Sequence, residues 1–252
     1  MMGMSLLTDL RLPAVHLSAV SKSHPSAAGP VPVLHEVTVA FPQRALTAVM
    51  GPSGSGKTTL LHCAAGLERP DRGQVMLGDT DLAACGEREL TKVRRRRIGF
   101  VFQQFNLLPM LTAYENVALP LRLQGGRVRR DRVQEALAQV GLADRADRRP
   151  AQLSGGQQQR VAIARTLVAE PEVVFADEPT GSLDRQTGRQ VMGLLRDTVD
   201  RDGRTVVMVT HDPVAAAVAD RVVFLSDGRV VGRLDHPTAD AVAQHLGMGE
   251  GQ

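Results

Sequence analysis

Ala45-Leu46-Thr47-Ala48-Val49-Met50-Gly51-Pro52-Ser53-Gly54-Ser55-Gly56-Lys57-Thr58-Thr59-Leu60-Leu61-His62-Cys63-Ala64-Ala65 decides the fold. Its first six residues are an apolar run of strand length. Gly51 to Thr58 matches the phosphate-binding pattern G-x-x-x-x-G-K-[ST] without a mismatch. Thr59 to Ala65 reads as a helix. Strand, glycine loop, helix is the setting in which backbone N–H groups turn around an anion and the helix start adds positive charge. The spacing predicts that Gly51, Pro52, Ser53, Gly54, Ser55, Gly56, Lys57, Thr58 and Thr59 wrap the phosphates of a nucleoside triphosphate. Lys57 is placed to reach the outer phosphates and the Thr58 hydroxyl to ligate Mg²⁺. The chain has only three lysines among 30 basic residues, and one is here. A compact ammonium suits a tight phosphate cradle better than a planar guanidinium.

Outward from this loop the chain alternates strand-like and helix-like segments. Ala14 to Val20 and Val33 to Phe41 read as strands of a small antiparallel lobe, separated by a Pro/Gly/Ala loop from Pro25 to Pro32. Gln74 to Gly78 reads as a short strand and turn, Glu87 to Arg97 as a charged helix, Ile98 to Gln103 as a buried strand. The middle third is helical, broken at Gly125-Gly126 and Gly141. Strands return at Val173 to Ala176, Thr205 to Val209 and Val222 to Leu225, with helices between. This alternation predicts an α/β fold with a mostly parallel core sheet, an N-terminal antiparallel β lobe and an inserted helical subdomain at about 104–168. The expected organisation is a loose leader over 1–13, one domain over 14–236, and a short C-terminal helix and tail over 237–252.

Composition excludes several alternatives. Apolar residues make up 43% and charged residues 23% of 252, ordinary for a globular chain with a sizeable core. Aromatics are 3%, with no Trp, so stacking platforms for single-stranded nucleic acid are not expected. A net charge of +3 does not argue for a nucleic-acid partner. Arginines cluster at 94–97, 127–132 and 145–149. They read as solvated helix faces and ends or as contacts to anionic lipid. Cys63 and Cys85 offer neither a disulfide framework nor metal spacing, which fits a reducing compartment. No apolar run has the length of a transmembrane helix, and the N-terminus lacks a signal peptide's basic and apolar regions.

Two further constellations carry chemistry. Val173-Val174-Phe175-Ala176-Asp177-Glu178 is an apolar strand ending in two acids. The first is placed to hold Mg²⁺, the second to polarise an attacking water. Leu153-Ser154-Gly155-Gly156-Gln157 precedes a helix predicted over Gln158 to Ala169. Ser-Gly-Gly there is either a second anion site or a plain helix cap.

The five-residue string Leu153 to Gln157 resembles the signature of ABC-type ATPases. The phosphate loop, Gln103, this string, Asp177-Glu178, Ser182-Leu183-Asp184 and His211 follow that family's order over about residues 14 to 235. Phe105 to Pro109, Leu111 to Val117 and Pro179 to Asp184 resemble the subgroup of lipoprotein release, macrolide efflux and the cell-division ABC complex. The resemblance implies ATP and Mg²⁺ as ligands. Gln103 would ligate Mg²⁺ and sense the γ-phosphate. Ser154, Gly155, Gly156 and Gln157 would contact ATP held by a second subunit. Asp184 would tie the two sites of a head-to-tail homodimer, and His211 would touch the γ-phosphate, beside Glu178 as catalytic residue. The family's adenine-stacking aromatic is replaced here by His24. The resemblance further implies a cytoplasmic subunit, peripheral on the inner face of the membrane, docked to a membrane permease near Gln104 to Asn116 and working in export or extraction. The alternative is an ATPase that regulates a cell-envelope complex without moving a substrate. A DNA- or ribosome-directed ATPase and a nucleotide-binding regulator without turnover fit the motifs less well.

Overall fold

In the computed structural model, residues 12–27, 29–125 and 128–249 are described. The leader before Leu12, Gly126 and Arg127 of the second arginine cluster, and the last three residues of the tail lie outside them. Beta-branched and apolar runs give the first strands, β1 (Val15–His24), β2 (Val31–Phe41) and β3 (Leu46–Met50). The glycine loop leads into α1 (Lys57–Ala64). Then come β4 (Arg72–Leu77), the short β5 (Thr80–Asp81), α2 (Glu87–Arg97) and β6 (Ile98–Val101). Three helices follow: α3 (Ala113–Leu123), α4 (Arg130–Gln139) and α5 (Gly155–Leu167). The chain closes with β7 (Val173–Asp177), α6 (Arg185–Asp200), β8 (Thr205–Val209), α7 (Pro213–Ala216), β9 (Arg221–Ser226), β10 (Arg229–Asp235) and α8 (Ala239–Gly249).

One sheet is antiparallel, in the order β2-β1-β4-β5; the other runs β10-β9-β3-β8-β7-β6. In the second sheet β9-β3-β8-β7-β6 are parallel and β10 pairs antiparallel at the edge. Strand β7 shows why its sequence is uniformly apolar. Val174 and Ala176 enter one hydrophobic core with α3, α4 and α5 residues, while Val173 and Phe175 enter another with the antiparallel lobe and α1. A parallel strand covered on both faces has no solvent side to mark with polar residues.

Several predicted boundaries shift. The strand expected over Ile98 to Gln103 ends at Val101, and the helix expected from Gln158 starts at Gly155. Ser154 caps that helix: its Oγ accepts from the Gln157 N–H at 3.3 Å, and Gln157 Oε1 accepts from the Ser154 N–H at 2.9 Å. Strand β1 continues past Val20 to His24, the helix expected between Val209 and Val222 is the short α7, and β5 and β10 were not expected. Nor are all the clustered arginines solvated faces. Arg97 holds Glu172 through Nε and Nη2 at 2.8 and 2.9 Å, and Arg94 donates to the Gly66 carbonyl at 2.8 Å.

Asn116, fully buried on α3, organises the preceding loop. Its Oδ1 accepts from the Leu108 N–H at 2.8 Å, and its Nδ2 donates to the carbonyls of Leu108, Leu111 and Thr112. Arg165 on α5 fixes the same loop from the other side, donating to the Phe105 carbonyl at 2.9 Å and to that of Asn106 at 2.5 Å. Phe105 and Asn106 both have positive φ, so this turn is held by specific bonds rather than by local preference. Burial lowers the Arg165 pKa.

Candidate nucleotide site

The glycine loop lies where β3 ends and α1 begins. A side chain at Gly51 would bring its Cβ to 1.9 Å from the Leu225 carbonyl. Gly56 has φ +95°, and its Cβ would stand 2.8 Å from the Val33 carbonyl. Both positions therefore exclude any other residue. Gly56 caps α1 without a side-chain acceptor, and no acid stands in the first turn. Leu60 N–H, 2.8 Å from the Gly56 carbonyl, begins the helical ladder, so the first-turn amides of Lys57, Thr58 and Thr59 are left for an anion, whereas the Ser55 N–H turns back to the Pro52 carbonyl at 3.3 Å. Thr59 turns its side chain into the core, whereas Thr58 is exposed. The buried Ser55 Oγ has no partner, as expected of a hydroxyl inside an anion cradle.

Lys57 Nζ donates to the carbonyls of Gly51 at 2.9 Å and Pro52 at 2.7 Å. Burial lowers its pKa, opposed by the charges of Glu178 and Asp177. Thr58 Oγ1 lies 3.3 Å from Asp177 Oδ1 at the end of β7. Burial raises the Asp177 pKa, opposed by the Thr58 bond and by the charges of His62 and Lys57. A hydroxyl beside a carboxylate forms a pair of hard oxygen donors, the ligand type Mg²⁺ takes. The residues present fit that ion.

Glu178 follows Asp177 in a left-handed conformation, φ +46°. Its N–H donates to the Val209 carbonyl at 3.0 Å, and its Oε2 meets His211 Nδ1 at 2.9 Å. Strands β7 and β8 are neighbours, which brings these two side chains together. Gln103 lies against the turn after Glu178: its carbonyl accepts from Ser182 Oγ at 3.4 Å, and a Cβ at Gly181 would be 3.0 Å from its Nε2.

Ser154, Gly155 and Gly156 form a separate group at the start of α5, beside Phe105, Leu183 and Thr187. Of the two local readings of Ser-Gly-Gly, the helix cap is realised within the chain, and Gln157 uses its side chain in that cap. Asp184 caps α6, accepting from the N–H groups of Gln186 and Thr187 at 3.0 Å and from Thr187 Oγ1 at 2.6 Å.

His24 stands at the end of β1, opposite Val31 in β2, two residues before the Val33 carbonyl that crowds Gly56. Its Nε2 meets Glu68 Oε2 at 3.1 Å, and Glu68 Oε1 meets His62 Nδ1 of α1 at 3.0 Å. Burial alone would raise the Glu68 pKa, but the bonds and charges of the two histidines hold it below the ordinary carboxylate value. Glu68 and His62 were not anticipated as neighbours of His24; a contact 44 residues apart leaves no local pattern.

The model of the ABC transporter family matches residues 34–181. A macrolide export ATP-binding/permease protein, MacB, of Paracoccus denitrificans is 45% identical over 238 residues, 93% of this chain and 36% of its own length. The chain thus spans about a third of the length of such relatives. The lipoprotein-releasing system ATP-binding protein LolD of Anaeromyxobacter dehalogenans is 47% identical over 234 residues, 91% of this chain and 97% of its own length. A dimeric structure of the ATP-binding cassette MJ0796 in a post-hydrolysis state, bound to ADP and Pi, matches with a TM-score of 0.83 at 42% identity. It covers 88% of this chain and 98% of that chain; MJ0796 is a protein of Methanocaldococcus jannaschii.

Proposed function

This chain belongs to the ABC transporter family, and on that premise we propose that it is the ATP-hydrolysing subunit of a transporter of the macrolide-export and lipoprotein-release type. The observation that carries this reading is the convergence, at the ends of β3, β7 and β8, of the Thr58–Asp177 pair, Lys57 and the Glu178–His211 pair. Thr58 and Asp177, with Gln103, would hold Mg²⁺, which neutralises phosphate charge when bound. The free amides of the glycine loop bind the phosphates, and Lys57 leaves its loop carbonyls to follow the outer one. Glu178, oriented by His211, polarises the attacking water, and His211 faces the γ-phosphate. His24 contributes the face for adenine.

Two subunits would close head to tail, each supplying Ser154, Gly155 and Gly156 to the ATP of the other, with Asp184 at the junction. The dimer of MJ0796 with ADP and Pi supports this arrangement. Among the described residues no helix is long and apolar enough to cross a membrane. A membrane permease would supply the pathway, with this subunit at the cytoplasmic face. Its dock would be the cleft of about 320 Å³ lined by Phe100, Phe102, Leu119, Leu123 and Arg165. The loop held by Asn116 borders it and exposes Leu108 and Met110. The direct test is phosphate release from Mg·ATP by the purified chain. Release no faster than that of Glu178→Gln would sink the reading.

A further inference from the structure

Five residues after Ser154, α5 carries a side chain that the site above does not use. Gln159 is fully buried, and its Nε2 donates to the Pro179 carbonyl at 2.7 Å. Pro179 directly follows Glu178. The turn's own bonds run from Gly181 N–H to the Glu178 carbonyl and from Leu183 N–H to the Thr180 carbonyl, each 3.0 Å, and neither uses the Pro179 oxygen. Gln159 Oε1 has no partner. A buried acceptor left unpaired is costly, so packing alone does not account for a glutamine here; the bond to Pro179 does. A second contact joins the same two segments. A Cβ at Gly156 would lie 2.1 Å from Thr187 Cγ2, and Thr187 Oγ1 donates to Asp184.

We infer that Gln159 is a positioning residue that couples the two nucleotide sites of the dimer. The inference rests on the proposed function: Ser154, Gly155 and Gly156 act in the partner's site, Glu178 in this subunit's own. Between Ser154 and Gln159 lies α-helix, which carries a displacement with little loss over about 7.5 Å. At its far end the amide grips a backbone carbonyl one residue beyond Glu178, whose left-handed φ is not a resting preference. A shift of the α5 start on meeting the partner's ATP therefore reaches Glu178 through one short hydrogen bond. The same connection runs in the other subunit, so each site reports to the other.

The test is steady-state ATPase against ATP concentration for wild type, Gln159→Met and Gln159→Glu. Met keeps the volume and removes the donor. In Gln159→Met the Hill coefficient should fall from near two toward one and kcat by about tenfold. Mant-ATP affinity of the isolated subunit should not change, and the melting temperature should stay within about 2 °C of wild type. Glu donates to Pro179 only when protonated, so the loss in Gln159→Glu should grow with pH relative to wild type, while the loss in Gln159→Met stays flat. If Gln159→Met does not fold, the pH profile of Gln159→Glu decides alone. Unchanged Hill coefficients in both variants, or losses that follow thermal stability and not pH, would overturn the coupling role. A wild type with a Hill coefficient of one, together with a Glu178→Gln variant that stays monomeric in ATP, would overturn the two-site reading itself and the inference with it.

Discussion

His211 Nδ1 and Glu178 Oε2 stand 2.9 Å apart, although 33 residues separate them in the chain. The carboxylate is largely buried at 17% exposure and the imidazole is open at 70%. The pair thus presents a buried acceptor on the inside and a solvent-open ring on the outside. Glu178→Gln keeps the shape and loses the charged acceptor. It should bind Mg·ATP and lower hydrolysis by about 10²–10⁴-fold. ATP should then lock two subunits together, and size-exclusion chromatography should show a dimer with ATP and a monomer without. A mutant that stays monomeric at saturating ATP would count against the head-to-tail arrangement.

Lys57 and Ser154 belong to separate groups in one subunit, and the proposed dimer assigns them to different ATP molecules. Lys57→Ala and Ser154→Arg should each abolish turnover. Mixed dimers retain one composite site with neither lesion, so an equimolar mixture should recover part of the activity. Disulfide-trapped mixed dimers with measured nucleotide occupancy would show whether a silent mixture reflects two obligate sites or no composite site.

Asp177 predicts a trade between stability and function. Its carboxyl is held above the ordinary value because burial disfavours the charge. The folded state therefore binds this proton more tightly than the unfolded state does. Its contribution is favourable below the unfolded pKa and is lost as pH rises through the folded value. At neutral pH the ionised side chain is a net cost in the metal-free protein. Asp177→Asn should raise the melting temperature measured in EDTA and flatten its fall with pH above the carboxylate range, while removing Mg²⁺-dependent hydrolysis. A lower melting temperature for the variant would show that the charges of His62 and Lys57 outweigh burial.

His24 replaces a larger aromatic ring at the proposed adenine face, and Glu68 holds its Nε2. An aromatic contact is worth roughly 0.5–1.5 kcal/mol beyond area burial. His24→Tyr should tighten ATP binding by a few-fold up to about tenfold, and His24→Ala should weaken it. Glu68→Ala, which frees the ring, should also weaken ATP binding but add nothing to His24→Ala. Mant-ATP titrations measure all four, with tripolyphosphate, which has no base, as a control that should bind alike throughout. Equal ATP affinity in wild type, His24→Tyr and His24→Ala would show that this ring does not touch the base.

The chemistry of this chain was legible where it is local. Gly51 to Thr58 specifies a loop because only glycine fits beside the Leu225 and Val33 carbonyls. The run Val173 to Ala176 specifies a strand buried on both faces because nothing in it alternates. Resemblance then supplied the proposed roles of Gln103, Ser154 and His211, which periodicity cannot give. Boundaries set by hydrogen bonds between side chain and backbone were missed. The Ser154–Gln157 cap starts α5 three residues earlier than the apolar pattern suggests, and Arg97 turns from surface charge to a clasp on Glu172.

The sequence alone determined that a phosphate loop and an acid-tipped strand exist, since each depends on residues adjacent in the chain, and it narrowed Ser154-Gly155-Gly156 to two local readings. Only the tertiary structure decided which of them meet. The order β3-β8-β7 places Thr58 against Asp177 and Glu178 against His211. It also emerged only there that Glu68 bridges His24 to His62, and that Gln159 grips the carbonyl of the residue after Glu178. Those pairings are set by strand order and helix packing, which bury the same apolar residues in many arrangements and leave no periodic trace in the chain.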